Sequence, residues 1–307
     1  MNKSSIMIKT LIATAASTLV ALASGGVSAQ TITTINSTSG IAQTLTNAVL
    51  AAGSGINVVA GSGTYQGTNT TSFQQSATYT GFNLAPSSGS SPTLTLANGI
   101  LLTSGNANLP NTNTLNNFTG ISGSGSNAQL SALSGSSTND ANVLSFDFKV
   151  AAGITSVSAQ FVFGTDEFPT QSVTDIFGFF VDGVNYAKFG NGQLISNTPG
   201  NPTNFISNPV GAGLYGIEYN GLTQVFTVTG ILGAGDGEGT HTLTIGIADT
   251  ADSIFDSGVF VASLQTGTAT GGGGIVPGVP EPETYALMLA GLAAMGAVAR
   301  RRKNKAA

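Results

Sequence analysis

Cysteine and tryptophan are absent from this 307-residue chain, and histidine occurs once, as His241. Without thiols there is no disulfide, no thiolate nucleophile and no Cys-based zinc or iron–sulfur centre. One imidazole excludes a multi-histidine metal site. Charge is scarce too: 7% of residues are Asp, Glu, Lys or Arg, against about 25% in an average soluble domain. Positive charge is scarcest in the middle of the chain. From Gln30 to Thr270 only Lys149 and Lys188 stand against twelve acids, giving 2 − 12 = −10, and arginine is absent. Such a stretch cannot neutralise a phosphate backbone, which excludes nucleic acid as a partner. What is present is 41% apolar residues and a mean hydropathy of +0.24, the composition of a folded chain. A middle of about 240 residues is long enough to bury a sizeable core.

The remaining basic residues mark the two ends. Lys3 and Lys9 precede an uncharged, largely apolar run from Leu11 to Ala23, and Val27-Ser28-Ala29 is a small-residue cleavage site. This gradation predicts a secretory signal over 1–29, cut by signal peptidase between Ala29 and Gln30. At the other end Val279-Pro280-Glu281-Pro282 precedes an apolar segment, Tyr285–Ala299, and then Arg300-Arg301-Arg302-Lys303. Fifteen helical residues reach about 22 Å, short for a bilayer core of about 30 Å. The basic cluster would stay cytoplasmic and the body outside.

The Pro-Glu-Pro triplet, the short apolar helix and the Arg-rich end, over 279–305, resemble the PEP-CTERM sorting signal. The resemblance implies recognition by an exosortase in the inner membrane and removal of the tail near Pro280–Pro282. It also implies transfer to the cell envelope of a Gram-negative bacterium that makes exopolysaccharide. The alternative is a permanent single-span anchor.

Between the ends, Ile41, Leu45, Ala48, Val49 and Ala52 recur at helical spacing, which predicts one short amphipathic helix over Gly40–Ala52. The period then becomes two. Leu144, Phe146, Phe148 and Val150 alternate with polar residues, as do Val157, Ala159, Phe161 and Phe163, and Leu243, Ile245 and Ile247. Phe177–Val181 is continuously apolar, the pattern of a central strand covered on both sides. Further strands are expected at Ile56–Ala60, Thr93–Thr103, Val184–Phe189, Thr223–Thr229 and Val259–Leu264. Many short strands with Gly, Asn and Pro between them predict a mainly β fold, an antiparallel, jelly-roll-like β-sandwich. The uncharged stretch Ser104–Asn139 reads as a long surface excursion of the functional kind. Thr266–Gly278, with Gly271–Gly274 in a row, reads as a flexible linker.

Four segments of the body resemble the choice-of-anchor L domain: Asn98–Gly105, Asn139–Phe148, Phe161–Phe180 (with Gly164-Thr165-Asp166-Glu167-Phe168-Pro169 and Asp175-Ile176-Phe177-Gly178) and Ile247–Phe260 (with Asp249-Thr250-Ala251-Asp252 and Asp256-Ser257-Gly258). The resemblance spans about Gly40–Gln265, within a body of 30–265, and brings no settled activity with it.

Six of the twelve body acids fall in two of these segments: Asp166, Glu167, Asp175, Asp249, Asp252 and Asp256. If they converge, like charges disfavour one another's ionisation. A hard cation removes the conflict, and Ca²⁺ accepts six to eight oxygen ligands. These six residues are therefore the expected ligands of a structural Ca²⁺ site. The rival reading of the same Asp-rich stretches is turn formation alone.

A catalytic reading would make Asp166 and Glu167 an acid/base pair for glycoside hydrolysis. Strand neighbours point to opposite faces, so a third acid such as Asp249 would be required at 5–10 Å. Tyr65, Tyr79, Tyr186, Tyr215 and Tyr219 could stack against a glycan or pack at sandwich edges. His241, without an obvious Ser or Asp partner, reads as a packed or edge residue.

The expectation is a non-enzymatic, exported surface or exopolysaccharide-matrix module, structural or adhesive, with signal peptidase and exosortase as partners in export. Exopolysaccharide or other matrix proteins would be its later partners, and its tether to the inner membrane would be transient. The alternative is a Ca²⁺-dependent carbohydrate-binding module.

Overall fold

A computed structural model describes residues 30–278, apart from 38, 119, 170–174, 197–201, 212, 234–238 and 270. The expected signal (1–29), sorting residues Pro280, Glu281, Pro282 and Arg300–Arg302, and apolar segment 285–299 lie outside the described residues. Among those described, no helix is long and apolar enough to cross a membrane.

In chain order the elements are β1 (Thr31–Thr34), α1 (Ile41–Val49), β2 (Asn57–Val58), β3 (Thr64–Gln66), β4 (Ser76–Thr80), β5 (Asn83–Leu84), β6 (Leu94–Thr95), β7 (Gly99–Thr103), α2 (Ala128–Ser134) and β8 (Thr138–Lys149). There follow β9 (Ser156–Thr165), β10 (Ile176–Val181), β11 (Val184–Asn185), β12 (Phe205–Ser207), β13 (Gly221–Thr223), β14 (Phe226–Ile231), β15 (His241–Thr250), β16 (Ser257–Gly267) and β17 (Gly274–Pro277).

They form an antiparallel β-sandwich, as the alternation predicts. One sheet runs β1-β4-β7-β16-β9-β13-β12, with β14 also on β9 and β17 outside β14. The other runs β11-β10-β15-β8-β2, with β3 also on β8. Period-two alternation in β8, β9 and β15 sends Leu144, Phe146, Phe148, Phe161, Phe163, Leu243, Ile245 and Ile247 into the layer between the sheets, where Ile41, Leu45 and Val49 of α1 join them. Phe161 and Phe177 face each other across it, ring centroids 5.1 Å apart.

Phe177–Val181 is buried on both faces, as its apolar run predicts, but it lies second in its sheet: beyond β10 come the two-residue β11 and a bridge from Phe177 to Ile195. It is apolar throughout because α2 covers its outer face, Leu130 packing with Ile176 and Phe180. The excursion 104–139 therefore contains a helix that composition concealed, capped by the Asn127 side chain, which accepts from the N–H groups of Gln129 and Leu130. A second apolar layer lies outside the larger sheet, where Tyr79, Phe82, Phe260, Tyr215 and Tyr219 cluster.

The stretch 266–278 also differs from the expected coil. Thr266 and Gly267 complete β16, and β17 pairs along the edge of β14 from Thr229↔Gly274 to Phe226↔Pro277. Its Ile275 packs against the main core, and that burial outweighs the flexibility of the glycines before it.

Candidate functional site: a buried acidic centre

Strand ends at one corner of the sandwich deliver the acids. Asp166 and Glu167 follow β9, Asp175 precedes β10, Asp249 lies near the end of β15, and Asp256 immediately precedes β16. The N–H of Asp166 donates to the Asp256 carbonyl at 3.1 Å, and the N–H of Ser104, just past β7, donates to the Ser257 carbonyl at 2.9 Å. Asp166, Glu167, Asp175, Asp249 and Asp256 are each 2% exposed or less. Asp252 stands further out, in the turn after β15, where its side chain accepts from the N–H of Ile254 at 3.4 Å. That turn is tight: Ala251 and Phe255 have φ of 69° and 63°.

Burial dominates the electrostatics. Desolvation first, then the neighbouring charges of Asp252, Asp249 and Asp166, push the Glu167 carboxyl up to about 9. Desolvation and the charge of Asp249 push Asp256 to about 9 as well. Asp166 rises to about 8 by desolvation, although the N–H groups of Phe118 and Asn220 pull it back. Asp249 rises to about 8 and Asp175 well above the usual carboxylate range, again through desolvation first. The sequence's expectation of like charges raising one another is present, but loss of water is the larger cause.

The acids divide into two groups. One group holds the long polar loop 105–127 by its backbone. Asp166 accepts from Phe118 N–H at 2.9 Å, and Asp140 accepts from Ser122 and Gly123 at 3.2 and 2.8 Å. Glu218 accepts from Leu115 N–H at 2.8 Å and from the Thr114 hydroxyl at 3.0 Å. Asp256 is eased by the backbone of Gly120. The loop also comes so close that a Cβ on Gly105 would fall on the Asp256 carboxyl.

The second group is Asp175 and Asp249. No hydrogen bond within 3.5 Å reaches any of their four buried oxygens. Ser257 eases the ionisation of Asp175, and Ser104 and then Asp175 itself ease that of Asp249. Their oxygens are of the hard, anionic type that Ca²⁺ takes. Among the described residues, however, no three acidic or histidine side chains converge as a ready-made ligand set.

Asp140 and Glu218, which hold the loop, were not among the sequence-predicted site residues. Each sits apart from other acids in the sequence, and their partners are backbone N–H groups, which leave no signature. Tyr79, Tyr215 and Tyr219 are buried and offer no ring to a glycan, while Tyr65 and Tyr186 pack half-buried against the main core. His241 does have an acidic partner, contrary to expectation: its Nδ1 lies 2.7 Å from the Asp182 carboxylate. Asp182 sits in the β10–β11 turn at φ 51° and also accepts from Thr242 N–H, so the pair ties that turn to the start of β15, at the opposite end of the β10–β15 ladder from Asp175 and Asp249.

The profile of the choice-of-anchor L domain matches residues 32–265, from β1 to within two residues of the end of β16. The chain belongs to the choice-of-anchor L family. The PEP-CTERM protein-sorting motif matches residues 278–303. Together they make this choice-of-anchor L protein a secreted, exosortase-sorted protein of the cell envelope or surface, and a structural or anchoring module by family. No curated protein and no solved structure matches it.

Proposed function

We propose that this choice-of-anchor L protein works without catalysis, as a structural or adhesive component of the outer surface or exopolysaccharide matrix, and that Ca²⁺ stabilises its acidic centre. In this reading the C-terminal helix tethers the chain to the inner membrane only until sorting. One observation carries the non-catalytic reading: the carboxyls that would have to flank a glycosidic bond, Asp166, Glu167 and Asp249, are each 2% exposed or less, and Asp166 is engaged by the backbone of the loop at Phe118. A polymer cannot reach carboxyls buried to this degree.

Burial of anionic groups without partners is costly unless they are protonated or bound by a cation. Asp175 and Asp249 are the prime donors, with Glu167 beside them and the more exposed Asp252 at the rim. Backbone carbonyls and water would complete the six to eight oxygens that Ca²⁺ takes. The remaining acids serve the loop, so the Ca²⁺ set is smaller than the six residues the sequence suggests.

A deletion strain and a glycan array with and without Ca²⁺ test the functional reading. Loss of matrix or surface integrity with a silent array is the expected result. Specific Ca²⁺-dependent glycan binding would replace it with the carbohydrate-binding reading.

A further inference from the structure

The sorting motif begins where the described body ends. Gly278 is its first matched residue, and the Gly278 N–H donates to the Val225 carbonyl at 2.8 Å. The four residues before it form β17 on the edge of β14. The seat is shaped for this segment. A Cβ on Gly273 would press into the Tyr186 ring and lie 2.8 Å from the Thr229 carbonyl oxygen, and one on Gly278 would lie 2.8 Å from Val225 Cγ1. Gly274 has φ +143°, a conformation few other residues adopt. Ile275 pairs with the buried Val228 and faces the core, whereas Val276 pairs with Thr227 and is 57% exposed.

Pro280 is two positions beyond Gly278, a reach of about 7 Å at most. Tyr285, where the apolar segment begins, is seven positions beyond it, a reach of about 25 Å. The body alone has a radius of gyration of about 18 Å. A membrane enzyme must close around residues on both sides of the bond it cuts. With Gly278 hydrogen-bonded to the body, that space is occupied by the sandwich.

We propose that β17 is a positioning latch for sorting: paired with β14 it keeps Gly278, two positions before Pro280, on the folded body, and it must unpair from β14 before the exosortase can engage Pro280–Pro282. This rests on the reading that the tail is processed. Gly273, Gly274, Ile275 and Gly278 are the positioning residues. They act through the placement of the cut site, not on the bond itself. An edge strand with a single core-facing side chain is suited to this, since it detaches at far lower cost than global unfolding.

The cysteine-free chain allows a clean test. Thr227→Cys with Val276→Cys places two thiols at directly opposed positions, within the spacing a disulfide requires. Precursor-to-product conversion is followed by pulse-chase in the native host. Conversion is expected to stall in the oxidised pair and to resume when the same cells are treated with a reductant, a control that excludes misfolding. Ile275→Gly is expected to speed conversion. Equal conversion of the oxidised pair, the reduced pair and the parent chain would overturn the latch while leaving the sorting reading intact. No conversion of the parent chain would overturn both.

Discussion

The backbone N–H of Asp166 donates to the carbonyl of Asp256 across the β9–β16 ladder, and this one bond places two carboxyls 90 residues apart in sequence in the same dry corner. Both are then raised, Asp166 to about 8 and Asp256 to about 9. At neutral pH the metal-free corner is held by protons, so anything that competes with those protons is read by the stability of the whole sandwich.

The first prediction is a pH dependence of unusual sign. Unfolded Asp and Glu titrate near 4, whereas folded Asp166 and Asp249 titrate at about 8 and Glu167 and Asp256 at about 9. Between those values the native state binds more protons than the unfolded one. The contribution of these groups is therefore complete below about pH 4 and is lost as pH rises through about 8–9. In EGTA the melting temperature is expected to fall steadily from about pH 5 to about pH 9. Added Ca²⁺ should raise it most at the alkaline end, where it displaces fewest protons. A melting temperature that climbs over this range in EGTA would contradict the protonated corner. No response to Ca²⁺ at any pH would remove the metal and leave the protons.

Asp175→Asn and Asp249→Asn separate the two groups of acids. An amide cannot ionise, so each variant should flatten the pH slope in EGTA and weaken or abolish the Ca²⁺ shift. At acidic pH the amide stands in for the protonated acid beside the other carboxyl of the pair, so the melting temperature there should change little, at about 2–4 °C per kcal/mol in a body of this size. Calorimetry at two pH values reads both effects, and an unchanged Ca²⁺ shift in both variants would place the cation elsewhere.

Loop 105–127 should detach locally when its acceptors are removed. Glu218→Ala leaves the N–H groups of Thr114 and Leu115 without their carboxylate, and Asp140→Ala does the same for Ser122 and Gly123. Each orphaned bond costs about 1 kcal/mol or more, while the Phe-rich core is untouched. Limited proteolysis is expected to cut within 105–127 in both variants, with far-UV circular dichroism preserved. Glu218→Gln, which keeps one acceptor oxygen, should be cut more slowly than Glu218→Ala. Equal resistance in all three would mean that the carboxyls do not hold the loop.

These contrasts show what the sequence displays and what it hides. β8, β9 and β15 are legible because each buries one face, so polar and apolar residues must alternate. β10 reads as covered on both faces, and it is, but a continuous apolar run does not tell that a helix covers the outer face or how many strands lie beyond it. α2 escapes notice because seven residues present only one fully buried side chain, Leu130, although the Asn127 cap and the left-handed Gly135 that end it were in view. The burial of Asp166, Asp175, Asp249 and Asp256 at strand ends of one corner is hinted at by their clustering in two distinctive segments. The attachment of the loop to Asp166, Asp140 and Glu218 is not, since it runs through backbone N–H groups that any residue supplies. β17 is hidden for a related reason: close approach selects glycine, and a run of glycines reads as coil.

Two glycines with opposite surroundings test the tightness of the cover. Gly190 has nothing within 4 Å of where a Cβ would stand and sits on the surface, whereas a Cβ on Gly105 would collide with the Asp256 carboxyl. Gly190→Ala should change stability by no more than about 0.5 kcal/mol. Gly105→Ala must push Asp256 or the loop aside, and overpacking of this kind costs about 1–3 kcal/mol. Because the displaced group belongs to the acidic centre, Gly105→Ala should also change the EGTA pH profile, which Gly190→Ala leaves as in the parent chain. Denaturant titration of both variants at about pH 5 and about pH 8.5 decides the matter. If Gly105→Ala matched Gly190→Ala at both values, the loop would have room that the close approach of Gly105 to Asp256 denies.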